Sequence, residues 1–456
     1  MPPDSAAKRV AERLAQGSSS TPELMRALSL SQATVSRALR DLERHQRVLR
    51  MGSTRGVRYG LRRPVAAVGS QWPIYRIDEE GTPHELGTLD AIQRESYYVT
   101  AGPERIRGFF EGIPYYLQDA RPAGFLGRAV PNAYPELDLP ARVTDWTDEH
   151  FLTYLTQRAS DTSGDLVVGA ESLNRYLAAT DARIVSADNR AQRYPQLANA
   201  AMGGAPPGSS AHGEHPKFTA CVAHGKRRTH VIVKFSPPRS TPAGQRWADL
   251  LTAEYIAHRV LEAHGVSACR SDIFDFGERL FLECERFDRI GADGRRGAVS
   301  LHSVDLAFYG RIDNWTASAE RLATGSLLPS KQADRIRFLD AFGALIANTD
   351  RHFGNITLFD AYEGAFELAP VYDMLPMLFA PQDGHLLPRK FEPTPARAEW
   401  LSVWAEARTL ADTYWTQLAQ DARITPQFRH ICAESLRALR AMSGRSKAVR
   451  APKLVR

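Results

Sequence analysis

The apolar positions of the chain change period several times, and each change marks an element. Between residues 20 and 45, Leu24, Met25 and Leu28 fall at helical spacing behind a Ser20/Thr21 cap. A brief break follows at Leu28-Ser-Leu30, and Val35, Ala38, Leu39 and Leu42 then share one face of a second helix from about Ser31. A shorter helix, ending at Gly17 and a serine run, precedes both. After Gln46 two strand-like runs, 48–51 and 57–59, flank Gly52-Ser-Thr-Arg-Gly56, so a hairpin is predicted there. Arg62-Arg63-Pro64 reads as a linker. Residues 70–200 mix helical and strand patterns with many Gly and Pro punctuators. The stretch GGAPPGSSAHGEHP at 203–216 reads as a loop. Strands at 218–223 and 229–235, joined by a turn at 225–228, lead to a helix over 248–263 and a strand pair within 274–285. From about 329 the pattern is mostly helical, broken by a loop around 350–373. There is no internal repeat.

Composition narrows the class. A chain of 456 residues with 43% hydrophobic and 24% charged residues is an ordinary globular protein of several domains. It has no apolar run of the about 18 residues a membrane helix needs, and residues 1–17 have no apolar signal core. Cys221, Cys269, Cys284 and Cys432 are far apart with no CxxC pair, which argues against a zinc site or disulfide framework and for a cytoplasmic protein. The formal charge of +6 is unevenly spread: residues 1–63 hold 13 Lys/Arg against 5 Asp/Glu, so the rest is slightly acidic. Helix, turn, helix and basic hairpin is the pattern of a winged helix-turn-helix, and the charge favours DNA as its partner. Gln32, Thr34 and Ser36 are candidates to reach base edges, Arg37 and Arg40 project from the same helix, and Arg55 and Arg58 in the hairpin suit phosphate. The basic stretch that closes the chain, 446–456, reads as a solvated tail.

The candidate chemistry lies further on. Phosphoryl transfer needs a cradle for phosphate oxygens, a metal to neutralise charge and a carboxylate to orient the attacking hydroxyl. The 203–216 loop, bracketed by strands, can present backbone N–H groups to phosphate. Lys234 sits alone among the apolar residues of VIVKF (231–235), and Glu254 on the next helix is placed to pair with it. A strongly apolar helix over 338–348 delivers NTDRHFGN (348–355), and a short hairpin then leads to LAPVYD (368–373). The two polar clusters flank one hairpin and converge at one end of it. Asn355 and Asp373 offer the oxygen ligands that Mg²⁺ prefers, which leaves Asp350 to act as base.

Those segments, in that order, resemble the HipA family of bacterial serine/threonine kinase toxins: SSAHGEHPK (209–217), VIVKF (231–235), ECERFDR (283–289), NTDRHFGN (348–355) and LAPVYD (368–373). The N-terminal addition resembles the YjjJ-like branch of that family. The resemblance implies an α+β, HipA-like (protein-kinase-like) bilobal fold preceded by a winged helix-turn-helix. It divides the chain into a DNA-binding domain (1–64), an α+β subdomain (65–200), an ATP-binding lobe (201–290), a helical lobe (291–445) and a basic tail (446–456). It implies ATP and Mg²⁺ as cofactors, with Asp350 as catalytic base and Asn355 and Asp373 as metal ligands. Lys234 would meet the ATP phosphates, the backbone of Glu285 to Phe287 would hold adenine, and Ser210 would be both a phosphate-loop contact and the autophosphorylated residue. The loop departs from the family in carrying His215 where Gln is usual, and Ser209 beside Ser210 leaves two serines open to modification.

The implied activity is transfer of the ATP γ-phosphoryl group to a protein hydroxyl, in a growth-inhibiting toxin with a possible antitoxin. The family's substrates are translation components such as aminoacyl-tRNA synthetases; the substrate of this chain does not follow from its sequence. Two other readings stay open: a DNA-binding regulator whose kinase-like part senses a nucleotide, and a small-molecule kinase. The tripeptide Asp275-Phe276-Gly277 is a decoy, because it precedes Asp350 where a metal-binding DFG would follow it.

Overall fold

The computed structural model describes residues 5–53, 56–65, 68–178, 184–203 and 215–442. The first helices are Ala6–Ala15, Thr21–Leu28 and Gln32–Arg44, followed by an antiparallel pair of strands, Val48–Met51 and Arg58–Leu61. Local chemistry fixes their starts. Ser20 and Glu23 form a reciprocal capping box on the second helix, and Ser31 Oγ accepts from the Thr34 N–H on the third. Val10, Leu14, Leu24, Val35, Leu39 and Leu42 form the core between them.

Arg62-Arg63-Pro64 is not a free linker. The Arg62 side chain pairs with buried Asp90 at 2.9 Å, Arg63 N–H donates to Ala91 O at 2.9 Å, and Arg63 reaches Tyr97 Oη at 3.2 Å. Leu49 and Met51 pack on Ile92. The two arginines of the expected linker are residues that bind this head to the next unit.

That unit is an antiparallel sheet of five strands in the order Gly108–Glu111, Ser96–Val99, Pro83–Ile92, Gln71–Ile77, Leu166–Val168. The helix Asp148–Gln157 buries Phe151 and Leu152 in its core. A second five-stranded sheet runs Ser271–Phe276, Arg279–Glu285, Arg227–Phe235, Lys217–His224 and, parallel to the last, Ile184–Ser186. The helix Pro242–Ala263 packs against this sheet and is buried along most of its length.

A small sheet, Ala298–Ser300, Thr357–Phe359 and Glu367–Leu368, then leads into helices Trp315–Thr324, Ser330–Leu345, Trp404–Gln420 and Pro426–Ala441. Ser330–Leu345 is buried on nearly every side, as a helix without an amphipathic stripe must be. It ends before the expected 348, because Ala347 turns into the left-handed region at φ 59° and Asn348 N–H returns to Gly343 O at 2.9 Å. The irregular stretch after it is longer than the sequence pattern suggests. Between Leu368 and Trp404 the chain makes only the short turns Met377–Phe379 and Ala398–Trp400.

Candidate active site

The site forms where the second sheet, the helix Pro242–Ala263 and the small sheet meet. Lys234 lies on strand Arg227–Phe235, and its Nζ donates to both carboxylate oxygens of Glu254, at 2.6 and 2.8 Å, as well as to Asp373 Oδ1. Glu254 is 1% exposed and also accepts the Asp373 N–H at 3.2 Å. Asp373 adopts φ 54°, a conformation that turns its amide to Glu254 and its carboxylate to Lys234. Burial pushes the Lys234 ammonium down, but the Asp373 and Glu254 carboxylates outweigh burial and hold its pKa well above the ordinary lysine value. Burial raises the Glu254 carboxyl. Burial also acts to raise Asp373, yet the charges of Lys234 and Lys217 bring it down to about 2.

The loop after Ser330–Leu345 is pinned by one buried side chain. Asn348 Nδ2 donates to Asp373 O at 3.2 Å, and Asn348 Oδ1 accepts the Asp350 N–H at 2.9 Å. Asn355 Nδ2 donates to Asp350 O at 2.8 Å. Arg351 bonds Asn348 O and pairs with Asp340 at 3.2 Å, and Trp315 Nε1 donates to His352 O at 3.1 Å. Most of these bonds end on backbone atoms of the loop. The Asp350 carboxylate itself is left 51% exposed, and among the described residues the cation nearest it is His352 Nε2 at 3.9 Å.

A cleft opens between these groups. Lys217, Lys234, Asn355 and Asp373 line one part of it, and Glu285 and Phe287 another. The donor set fits Mg²⁺: Asn355 and Asp373 offer oxygen, and Mg²⁺ completes its shell with phosphate and water. Among the described residues no cluster of three His, Cys, Asp or Glu side chains converges, so an ion here would depend on those two ligands and its phosphate.

The structure thus brings Lys234, Glu285, Phe287, Asn355 and Asp373 to one cleft, with Asp350 on the loop that Asn348 ties to Asp373. Ser210 and Arg55 lie outside the described residues. Sequence reasoning missed Lys217, which is buried directly across from Lys234 in the strand register. Two lysines at paired positions of adjacent strands was the available signal. It also missed Asn348, whose polarity at the end of an apolar helix marked it. Asp275 of the decoy tripeptide faces solvent and pairs with Arg239, away from the cleft.

In the N-terminal head, Gln32, Arg37 and Arg40 are exposed on one helix, and Ser36 is half-buried beside them. Thr34 Oγ1 is shared with the Ser31 cap at 2.9 Å. Arg58 bonds Ser18 and pairs with Glu23 at 3.2 Å, so it holds the hairpin to the second helix.

The fold is mixed α/β, with a cleft that gathers two lysines, an asparagine and an aspartate. Residues 68–177 match the family model of the YjjJ-like toxin middle domain, and residues 209–442 match that of the HipA-like C-terminal domain. The chain is 37% identical to Toxin YjjJ of Escherichia coli (strain K12), over 92% of this chain and 95% of that protein. It therefore belongs to the HipA-like toxins, in the YjjJ-like branch. Among solved structures it is similar to the HipA of a Shewanella oneidensis MR-1 toxin–antitoxin system, solved with HipB and its operator DNA, at 15% identity and TM-score 0.49 over 81% of this chain and 95% of that one. It is also similar to the Helicobacter pylori proinflammatory kinase CtkA, at 12% identity and TM-score 0.36 over 50% of this chain and 87% of that one.

Proposed function

We propose that this chain is an ATP- and Mg²⁺-dependent serine/threonine protein kinase that acts as a growth-inhibiting toxin. The observation that carries the reading is the Lys234–Glu254–Asp373 cluster, joined through Asn348 to the exposed Asp350. Lys234 and Lys217 supply positive charge for the phosphates, and the backbone from Glu285 to Phe287 supplies the adenine edge. Asn355 and Asp373 would hold Mg²⁺, which would supply positive charge against the transferring group. Asp350 accepts the proton of a protein Ser or Thr hydroxyl as its oxygen bonds to the γ-phosphorus and the bond to the ADP oxygen breaks. Its exposure suits an acceptor carried on another macromolecule. The 37% identical relative bears the name of a toxin, which supports growth inhibition as the outcome. An antitoxin partner and a cytoplasmic location belong to the same reading.

In this reading the segment 1–64 is a winged helix-turn-helix that binds DNA. Gln32, Thr34, Ser36, Arg37 and Arg40 face the major groove, and the hairpin with Arg55 and Arg58 lies along phosphate. The cap bond of Thr34 and the Glu23 pairing of Arg58 leave Gln32, Arg37 and Arg40 as the freest of the set.

Mass spectrometry after incubation with ATP and Mg²⁺ tests the kinase reading. Phosphate is expected on Ser210 or Ser209 and on protein acceptors; ATP turnover without any phosphoprotein would favour a small-molecule kinase. For DNA, affinity is expected to fall steeply with salt, with a slope of about −0.9 per phosphate contacted. Unchanged binding after removal of residues 1–63 would refute the head as the DNA-binding part.

A further inference from the structure

The cleft has a third wall, and it comes from the middle of the chain. Asp119 and Ser163 line the same cleft as Lys234, Glu285 and Asp373. Both lie within the 68–177 match and outside the HipA-like match that begins at 209. Asp119 closes the short helix Tyr115–Gln118. Its carboxylate accepts from Ser300 N–H at 2.5 Å, Ser300 Oγ at 2.7 Å and Ser303 Oγ at 2.9 Å. All three donors are neutral, and among the described residues no Lys, Arg or His lies in ion-pair range of it. A carboxylate offers about four lone-pair sites, so one stays open.

Position and charge together limit what can occupy that site. Ser300, which Asp119 holds, pairs with Thr357 in the strand register, and Thr357 Oγ1 lies 2.8 Å from Tyr372 Oη, so Asp119 is close to that ring. The Tyr372 ring in turn packs 5.9 Å from Phe287. Asp119 therefore lines the cleft on the side of Tyr372, whose ring packs on Phe287 and whose chain neighbour is Asp373. A phosphate is repelled by an uncompensated carboxylate and is drawn instead to Lys217 and Lys234. The base belongs to the backbone at 285–287. What a nucleotide places between base and phosphates is its ribose, whose hydroxyls are donors.

We infer that Asp119 is a ribose-binding residue, accepting a hydrogen bond from a ribose hydroxyl and making the site selective for ribonucleotides over deoxyribonucleotides. The inference rests on the nucleotide site proposed above. It gives the middle segment a direct part in substrate recognition, with Ser300 and Ser303 as the residues that aim the carboxylate.

The test is calorimetric binding of ATP, 2′-deoxyATP and 3′-deoxyATP to the full-length chain with Mg²⁺, repeated with Asp119→Asn. At least one deoxynucleotide is expected to bind about tenfold more weakly than ATP, as loss of one charge-assisted hydrogen bond predicts. Asp119→Asn should weaken ATP by a similar factor, leave that deoxynucleotide unchanged, and so erase the preference. A purely structural role would weaken all three nucleotides equally and would overturn the inference. So would equal binding of the three by the unaltered chain, a result that needs no variant to fold. If Mg²⁺ alone binds and Asp119→Asn removes it while the ribose preference persists, the carboxylate is a metal ligand and the inference fails. No binding of any nucleotide would overturn the site itself; binding without ribose preference overturns only the role of Asp119.

Discussion

The two sides of Asn348 are built on opposite principles. On one side Lys234, Glu254 and Asp373 are desolvated and satisfy one another; on the other Asp350 stands 51% exposed with no strong partner among the described residues. The first arrangement is costly to assemble, because buried charges lose hydration, and it persists only because each has its counterpart. The second costs little in the fold. The contrast suits the two substrates of a protein kinase. Under the proposed function, a triphosphate would enter a pocket whose charges are already fixed, whereas a protein hydroxyl would have to reach a base that stays open to solvent.

The sharpest way to break this comparison is to neutralise one member on each side. Asp350→Asn removes the proposed base and none of the bonds that hold its backbone. Phosphotransfer to protein is expected to fall by about 10²- to 10⁴-fold, with stability changed by no more than about 0.5 kcal/mol. Radiolabel transfer and thermal melting on the same preparation check both. Lys234→Met acts in the opposite sense. It strands Glu254 and Asp373 without their cation, so a loss of about 3–5 kcal/mol in denaturant unfolding is expected together with loss of ATP binding. If Lys234→Met proved as stable as the unaltered chain, the cluster would not be the preassembled unit described here.

The same contrast explains what the sequence could reveal. Asp350, Asn355, Asp373 and Lys234 were legible because each belongs to a short, dense motif, and Glu254 because a lone lysine among apolar residues calls for a partner. The strands at 217–224 and 227–235 were legible from their alternation, to within two residues. What could not be read is non-local. Asp119 is 181 residues from Ser300, and nothing in the pattern around it shows that the two meet. The linker assignment at 62–64 failed for the same reason, since its arginines are explained only by Asp90 and Ala91 on a strand of the next unit. The early end of the helix at 345 reflects a left-handed Ala347, a conformation that an alanine does not announce.

Acid sharpens the comparison further. Asp373 has a folded pKa depressed to about 2 against an ordinary value of about 3.9. Its contribution is therefore fully present above the ordinary carboxylate range and is lost as the pH falls from about 4 through about 2. The linkage amounts to roughly 2–3 kcal/mol. Glu254, raised by burial, works in the opposite sense and reduces the net slope. The readout is thus the difference between the unfolding curves of the unaltered chain and Asp373→Asn, which should narrow between pH 5 and pH 2. A difference that stayed constant across that range would mean that Asp373 carries no special charge coupling.

The smallest effect falls on the hinge of the comparison. Asn348→Ala removes the donor to Asp373 O and the acceptor of the Asp350 N–H, but touches no charge and no cleft surface. Two neutral hydrogen bonds in a buried position set the expected destabilisation at about 1–2 kcal/mol. The informative result is the split between steps. ATP affinity should stay within about twofold, because the Lys234–Glu254–Asp373 contacts remain, whereas the rate of protein phosphorylation should drop about tenfold as the Asp350 loop loses its registration with Asp373. Equal losses in both would show that the nucleotide half is not self-sufficient, and that Asn348 supports the cluster as much as it supports the base.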